Sequence, residues 1–147
     1  SANADVAANT AKVGYTEAIY TVNTFYAELG GYVIQISPNG KHGLVVAMQD
    51  LGNSSLYLAN DLLSDPSKYD SDGGEFLDWR LPTKRELNLL YEISSTGDNG
   101  PGFNGNNTYK SSTDGDYNDA WIQRFSDGYS YRDSKQTPHA VRAVRAF

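Results

Sequence analysis

The hydrophobic pattern of the chain divides it at about residue 30. Before that point, apolar and small polar side chains recur every three or four residues with one register slip, at Val6, Asn9, Val13, Thr16, Ile19, Val22, Tyr26 and Leu29. A recurrence of this kind is typical of the seam of a coiled coil. The pattern therefore predicts a helical oligomerisation stalk over residues 1–29.

The predicted stalk would be a weak helix on its own, because Gly14 costs about 1 kcal/mol relative to Ala. Association of several copies would offset that cost by burying the Val and Ile positions. Asn9 is a residue type that fixes register and copy number at a coiled-coil seam. We predict a homotrimer. The alternative is a single amphipathic helix packed against its own head, although residues 6–16 are too polar to cover a core well.

From Gly30 onward the pattern changes to the short apolar runs of β-strands. Runs at 32–37 and 42–48 flank Asn39-Gly40, and Asn-Gly between such runs is a strong hairpin signal. Residues 55–63 are predicted to form a short helix. Further strands are predicted at 109–112, 120–125, 129–132 and 141–147, the last four forming a meander. The head, residues 30–147, is thus predicted to be α+β, with twisted antiparallel sheets and two short helices.

The most specific local signal lies in the middle of the head. Thr83 and Glu86 have the spacing of a capping box, in which each side chain accepts a hydrogen bond from the other residue's backbone N–H. Leu87 and Leu90 supply the buried face of the helix that this box begins. Trp79, just before it, is predicted to anchor the core rather than to contact a ligand.

Composition and charge remove several classes of function. The chain has 12 basic and 18 acidic residues, a net charge of −6, and nucleic-acid binding needs clustered cations. The same acidity disfavours adhesion to anionic membranes, and no apolar run is long enough to span a bilayer. The absence of cysteine removes disulfides, thiolate metal sites and thiol nucleophiles. The 11 tyrosines are a residue type suited to rigid contact surfaces.

Several motifs resemble one family along the whole head. The string 78–87, DWRLPTKREL, resembles the WRLPT-x-x-EL core of the Lcl C-terminal domain family, which is similar to the formylglycine-generating-enzyme branch of the C-type-lectin fold. Other strings agree in order and spacing, at 40–46, 109–113, 120–121, 125–128 and 141–145. The resemblance implies a C-type-lectin-like head but not one function, because this fold carries oxidases, lectins and receptor-binding tips. Lys110 departs from it, since the family usually has Trp there.

Enzyme chemistry has little support in the sequence. The oxidase branch of the fold depends on cysteine, so its activity is excluded. His42 and His139 lack zinc-type spacing. A glycosidase using two of the carboxylates Asp114, Asp116 and Asp119 remains open, although acidic turn residues are usually solvated turn formers. We expect no enzymatic activity.

Calcium is the cofactor that the sequence leaves possible. Asp70 and Asp72 offer spaced oxygen ligands, as do the acidic residues of 114–119. Neither segment has the full twelve-residue loop that ends in Glu.

The binding hypothesis rests on polar loops in the second half of the head. In lectin-like heads such loops form the recognition face, and sugars are bound by aromatic rings together with Asn and Asp hydrogen bonds. The predicted ligand-binding residues are Asn104, Asn106, Asn107, Lys110, Asp114, Asp116, Tyr117, Asn118, Tyr129, Tyr131 and Arg132.

The sequence therefore predicts an extracellular, receptor- or glycan-binding tip of a phage tail fibre or bacterial surface adhesin. The N-terminal segment is also similar to the trimeric stalks of such fibres. Two alternatives stay open. One is a structural trimerising cap without a ligand, and the other is a hydrolase acting on surface polysaccharide.

Overall fold

Two β-sheets and two α-helices make up the head in a computed structural model, which describes residues 19–96 and 100–147. The first sheet has the strand order β1-β2-β3-β9 and the second β4-β8-β5-β6-β7. The strands are β1 Thr24–Tyr26, β2 Gly31–Ile36, β3 Gly43–Val46, β4 Gly52–Ser54, β5 Thr108–Asp114, β6 Asp119–Arg124, β7 Ser130–Ser134, β8 His139–Val141 and β9 Val144–Ala146. The helices are α1 Ala59–Leu63 and α2 Lys84–Ser95, with 3₁₀ turns at Ala27–Leu29, Pro66–Lys68 and Gly73–Glu75. The predicted α+β class is confirmed.

The centre of the first sheet, residues 31–34 of β2 and 44–46 of β3, is buried on both faces, so the side chains there are apolar without alternation. Val33 and Val45 pack with Trp79 and Tyr69 on one side. On the other side Tyr32, Ile34, Leu44 and Val46 join the apolar face of α2 and the aromatic residues Phe103, Tyr109 and Phe125. The sheet thus lies between two hydrophobic clusters.

The predicted hairpin is confirmed. β2 and β3 pair antiparallel, with Tyr32 opposite Val46 and a register shift between Val33 and Gln35. In the turn, Asn39 Oδ1 accepts a hydrogen bond from the Lys41 backbone N–H at 3.0 Å. Gly40 has φ 75°, in the left-handed region where a side chain would be strained.

The capping box and the role of Trp79 are also confirmed. Thr83 accepts from the Glu86 N–H, and Glu86 accepts from the Thr83 N–H at 2.9 Å. Glu86 also binds Arg80 through two hydrogen bonds of 2.8 and 3.0 Å. Burial raises the pKa of Glu86, but the hydrogen bond from Arg80 and that from the Thr83 N–H outweigh it and leave this pKa lowered.

The prediction of a helix is wrong for residues 19–29. Thr24–Tyr26 is a strand that pairs antiparallel with β2, and Ala27–Leu29 is a 3₁₀ turn. Tyr26 contacts Tyr20 edge-to-face at 4.8 Å, and Leu29 is buried in the core. Tyr26 and Leu29 therefore pack against their own head, and their spacing does not come from the seam of a coiled coil. Residues 1–18 of the predicted stalk lie outside the described residues.

The predicted single closing strand is also wrong. Residues 139–141 form β8, which pairs with β4 and β5 in the second sheet, whereas 144–146 form β9, which pairs with β3 in the first. The chain crosses between the sheets at Arg142, whose side chain is 1% exposed. Apolar residues continue through this crossing, as Ala140-Val141 and then Ala143-Val144, because both halves line the core.

The described residues contain no helix that is long and apolar enough to cross a membrane.

Candidate functional site

Three segments that are distant in sequence meet at one end of the second sheet. The Lys135 backbone N–H donates to the Asn118 carbonyl at 2.9 Å, and the Leu56 N–H donates to the Lys135 carbonyl at 2.8 Å. The β5–β6 turn, the segment after β7 and the chain before α1 are thereby held side by side.

An open cleft of about 610 Å³ lies where these segments meet. It is lined by Tyr57, Asp114, Asp116, Tyr117, Asn118 and Lys135. The rings of Tyr117 and Tyr57 are 89% and 61% exposed, so each presents an uncovered aromatic surface. We call this site the aromatic cleft. Its size is within the range of small-molecule sites.

The β5–β6 turn that forms one wall of the aromatic cleft is fixed by its own hydrogen bonds. The Gly115 N–H donates to the Asp119 carbonyl at 2.9 Å, and the Asn118 N–H donates to Asp116 Oδ1 at 2.9 Å. A Cβ atom at Gly115 would lie 2.3 Å from Arg132 Cδ, so this position needs glycine unless Arg132 moves. The turn therefore presents Tyr117 and Asn118 on a defined backbone.

The cations at the aromatic cleft are paired with carboxylates. Lys135 Nζ lies 3.1 Å from Asp114 Oδ1. Arg132, which is not among the lining residues, lies 3.9 Å from Asp116 and 3.8 Å from Asp119. These pairs hold the acidic turn together, and Arg132 acts there as a counter-charge rather than as part of the cleft lining.

Asp116 and Asp119 share a hydrogen bond that separates their pKa values. That bond raises the pKa of Asp119, and burial of its carboxyl acts in the same direction. The same bond and the Asn118 N–H lower the pKa of Asp116. Asp116 is therefore the carboxylate of the two that stays ionised most readily.

Two other predicted residues form a separate aromatic surface, which we call the tyrosine ledge. Tyr129 and Tyr131 stack with ring centroids 5.3 Å apart, and Tyr129 is 58% exposed. The Arg124 guanidinium lies 5.4 Å from the Tyr129 centroid, and its hydrogen bond to Asp127 lowers the pKa of that carboxyl to about 2. Neither tyrosine is among the residues that line the cleft.

The three predicted asparagines stabilise a loop and do not line the cleft. Asn104 Oδ1 accepts from the Asn106 N–H at 2.9 Å. Asn107 Nδ2 donates to Asp50 at 3.0 Å, and Tyr109 Oη donates to the same carboxylate at 2.9 Å. The structure thus brings together four of the predicted residues, Asp114, Asp116, Tyr117 and Asn118, and separates them from these three.

The prediction that Lys110 faces a ligand is wrong. The residue is 3% exposed, and its Nζ donates to the Thr137 carbonyl at 2.8 Å. Burial lowers the pKa of Lys110, partly opposed by Asp133. Asp133 is itself bound to His139 at 2.8 Å. Lys110 therefore ties β5 to the loop before β8 and takes no part in the surface.

The possible calcium ligands do not converge on a common centre. Asp70 Oδ1 accepts from the Gly73 N–H at 2.8 Å and so caps a 3₁₀ turn. Asp72 precedes the same turn without a side-chain capping bond. Within residues 19–96 and 100–147, no three His, Cys, Asp or Glu side chains are grouped as a metal would need.

Sequence reasoning missed two residues of the aromatic cleft, Tyr57 and Lys135. The predicted helix over 55–63 includes Tyr57, but the helix begins at Ala59 and Tyr57 lies in the preceding turn. Its place beside Tyr117 follows from the pairing of β4 with β8, and no local signal encodes that pairing.

A second groove, of about 540 Å³, lies at the start of α2. Its lining is Thr83, Lys84, Arg85, Asn88, Thr113 and Ser130, without an aromatic ring. Lys84 Nζ lies over the Trp121 ring at 3.5 Å, so part of its positive charge is already engaged. The aromatic cleft differs from this groove in its two exposed aromatic rings, Tyr57 and Tyr117.

Comparison with known proteins gives one family. The family model described as the Lcl C-terminal domain matches residues 53–145, more than half of the chain. The matched range runs from β4 to β9 and includes every residue that lines the aromatic cleft. No curated protein matches the chain.

Proposed function

The chain belongs to the Lcl C-terminal domain family, and from that premise we propose that its head is a non-catalytic binding module that captures a cell-surface glycan in the aromatic cleft. The carrier would be an extracellular phage tail fibre or bacterial surface adhesin. The observation that carries the proposal is the pair of exposed rings, Tyr57 and Tyr117, beside the Asn118 amide. Sugars offer apolar ring faces and hydroxyl groups, which these side chains can stack on and bind.

We further propose that the head has a C-type-lectin-like fold, of the branch that includes the formylglycine-generating enzymes. The first sheet supports this assignment, because it contains both the earliest strands of the head and the closing strand β9. When the first and last strands of a head lie in one sheet, its two ends lie together and the loops between them are left to form a binding face.

Replacing Tyr117 with Ala is expected to weaken glycan capture at least tenfold, since a ring in the centre of a binding site commonly contributes more than 1 kcal/mol. The measurement is binding of wild type and variant to a printed array of cell-surface oligosaccharides. The thermal unfolding temperature should be unchanged because the ring is 89% exposed.

Leu77→Ala is the matched control, because Leu77 is 95% exposed and does not line the cleft. Tyr129→Ala tests the tyrosine ledge in the same assay. If Tyr129→Ala weakened oligosaccharide binding and Tyr117→Ala did not, the binding site would be the tyrosine ledge rather than the aromatic cleft. If no oligosaccharide is captured by the wild type, the structural cap becomes the better interpretation.

A polysaccharide hydrolase is the less favoured alternative. The split pKa values of Asp116 and Asp119 resemble those of an acid and base pair. Both carboxyls lie beside the same Arg132 guanidinium, at 3.9 and 3.8 Å, however, whereas glycosidase carboxyls stand about 5–9 Å apart around the sugar. Release of reducing ends from capsule polysaccharide, abolished by Asp116→Asn, would favour the hydrolase.

We also propose that the protein is a homotrimer, as the Val6, Asn9 and Val13 stripe predicts. Directly after that stripe the described chain exposes three apolar side chains, with Ile19 72%, Phe25 40% and Val22 38% exposed. Where such side chains adjoin one another, they commonly mark an interface.

Sedimentation is expected to give three times the 16.1 kDa mass of one chain. The double variant Ile19→Ser, Val22→Ser should shift the protein toward monomer because it removes apolar contact area. Leu77→Ser removes a similar exposed side chain elsewhere and should leave the mass unchanged. A wild-type protein that sediments as a monomer at high concentration would contradict the trimer.

A further inference from the structure

The charged groups of the aromatic cleft are arranged with the anions outside and the cation beneath. The side chain of Asp114 is 67% exposed, whereas Lys135, its partner at 3.1 Å, is 14% exposed. Asp116 is 56% exposed and lies 3.9 Å from Arg132, which is 45% exposed and is not among the lining residues. Among the residues that line the cleft, the two carboxylates are therefore more accessible to a ligand than the cation Lys135.

The cations near the cleft are also already neutralised. Lys135 is paired with Asp114, and Arg132 is shared between Asp116 and Asp119. An anionic ligand would therefore share either cation with the carboxylates already beside it, and the repulsion from those carboxylates would oppose its binding.

The hydrogen-bonding capacity of the two carboxylates also disfavours anionic ligands. Carboxylates accept hydrogen bonds and cannot donate them, so Asp114 and Asp116 suit ligands that bring donors. Sugar hydroxyls and acetamido N–H groups are donors, whereas sulfate and carboxylate groups at neutral pH offer acceptors alone. Tyr57 and Tyr117 can stack on the apolar face of either kind of sugar, so the rings do not discriminate between them.

We propose that the aromatic cleft selects glycans without anionic groups, such as neutral hexoses and N-acetylhexosamines, and rejects their sialylated and sulfated forms. This inference rests on the proposed glycan-binding function and adds the class of ligand. The net charge of −6 on the chain adds a weaker, long-range repulsion in the same direction.

The test is a printed array of neutral oligosaccharides, each accompanied by its sialylated and its sulfated counterpart. The wild-type protein is expected to bind the neutral member at least about tenfold more tightly in each pair that it captures. Equal or tighter binding of the acidic members would overturn the inference while leaving glycan binding intact. Capture of no sugar of either kind would instead overturn the proposed function, and this inference with it.

The double variant Asp114→Asn, Asp116→Asn tests whether these two carboxylates cause the discrimination between neutral and acidic oligosaccharides. Two carboxylates at contact range in water should account for roughly a tenfold discrimination, so the variant should lose most of it. The double variant Glu28→Gln, Glu75→Gln changes the net charge equally at exposed positions outside the cleft and should keep the discrimination. Unchanged discrimination in the first variant would overturn the assignment to these carboxylates.

The salt dependence of the preference for neutral oligosaccharides tests the inference without any substitution. For the wild type, the preference for neutral members should shrink between about 50 mM and 500 mM salt, because exposed charges are screened over a few ångströms at high ionic strength. A preference that does not change with salt would contradict an electrostatic origin even if a variant failed to fold.

Discussion

Replacing Arg142 with Met is expected to lower the free energy of unfolding by about 3–5 kcal/mol, because it breaks a buried charge pair from one side. Arg142 Nε donates to Asp50 Oδ1 at 2.8 Å. Its other nitrogens donate to the carbonyls of Ala47, Pro101 and Gly102 at 2.8–3.0 Å. Met fills a similar volume but supplies none of these donors, so the Asp50 charge and three carbonyls lose a partner together.

The position of Arg142 explains why this loss should be so large. The residue lies where the chain crosses between the two sheets, and its guanidinium is 4.3 Å from the Phe103 ring. Its guanidinium joins the segment between β3 and β4, at Ala47 and Asp50, to the 101–103 loop. Arg142→Lys should recover part of the stability, since a single ammonium can reach Asp50 but cannot serve all the carbonyls.

Chemical denaturation followed by tryptophan fluorescence would measure both Arg142 variants. Arg85→Met is the control, because Arg85 is exposed on α2 and its replacement should change stability by less than about 0.5 kcal/mol. If Arg142→Met lowered the free energy of unfolding by less than about 1 kcal/mol, the buried hydrogen bonds of Arg142 would stabilise the fold less than their geometry implies.

Replacing Trp79 with Ala is expected to cost a similar amount, about 3–5 kcal/mol, by leaving a cavity in the core. The ring is 7% exposed and stacks on Tyr69 with centroids 5.1 Å apart. Phe76 meets it edge-on at 6.5 Å, and Nε1 donates to the Gly73 carbonyl at 2.9 Å. The substitution therefore removes aromatic contacts and leaves one buried carbonyl without its donor.

Trp79→Phe separates these contributions, because it keeps a stacked ring and removes the hydrogen bond. Its expected loss is about 1–3 kcal/mol, between those of wild type and Trp79→Ala. Thermal unfolding by circular dichroism avoids the loss of the fluorescent reporter. If the alanine variant melted within a few degrees of wild type, Trp79 would not be the anchor that its burial indicates.

Local structure could be predicted from the sequence because its causes are local. The β2–β3 hairpin follows from two apolar runs around Asn39-Gly40, and α2 begins where the spacing of Thr83 and Glu86 places a capping box. The buried Trp79 followed from its position before that box. Each of these features depends on residues within a few positions of one another.

The aromatic cleft could be predicted only in part. Asp116, Tyr117 and Asn118 are neighbours in one turn, so their residue types and the resemblance to lectin-like heads indicated them as a candidate surface. Tyr57 reaches the same cleft through pairing between strands far apart in sequence, and Lys135 through a backbone bond to Asn118. Sequence proximity gives no information on either contact.

Whether a given side chain is buried could not be predicted from its polarity. Lys110 and Arg142 look like surface residues from their charge, yet both are buried and hydrogen-bonded to backbone carbonyls. Tyr26 and Leu29 continue a helical spacing, yet Tyr26 pairs in a strand because β2 offers it an unpaired edge. Short-range pattern thus determined the hairpin, the capped helix and the acidic turn of this protein. The assembled sheets decided which distant side chains meet and which charges face water, because those depend on packing between segments that no local pattern encodes.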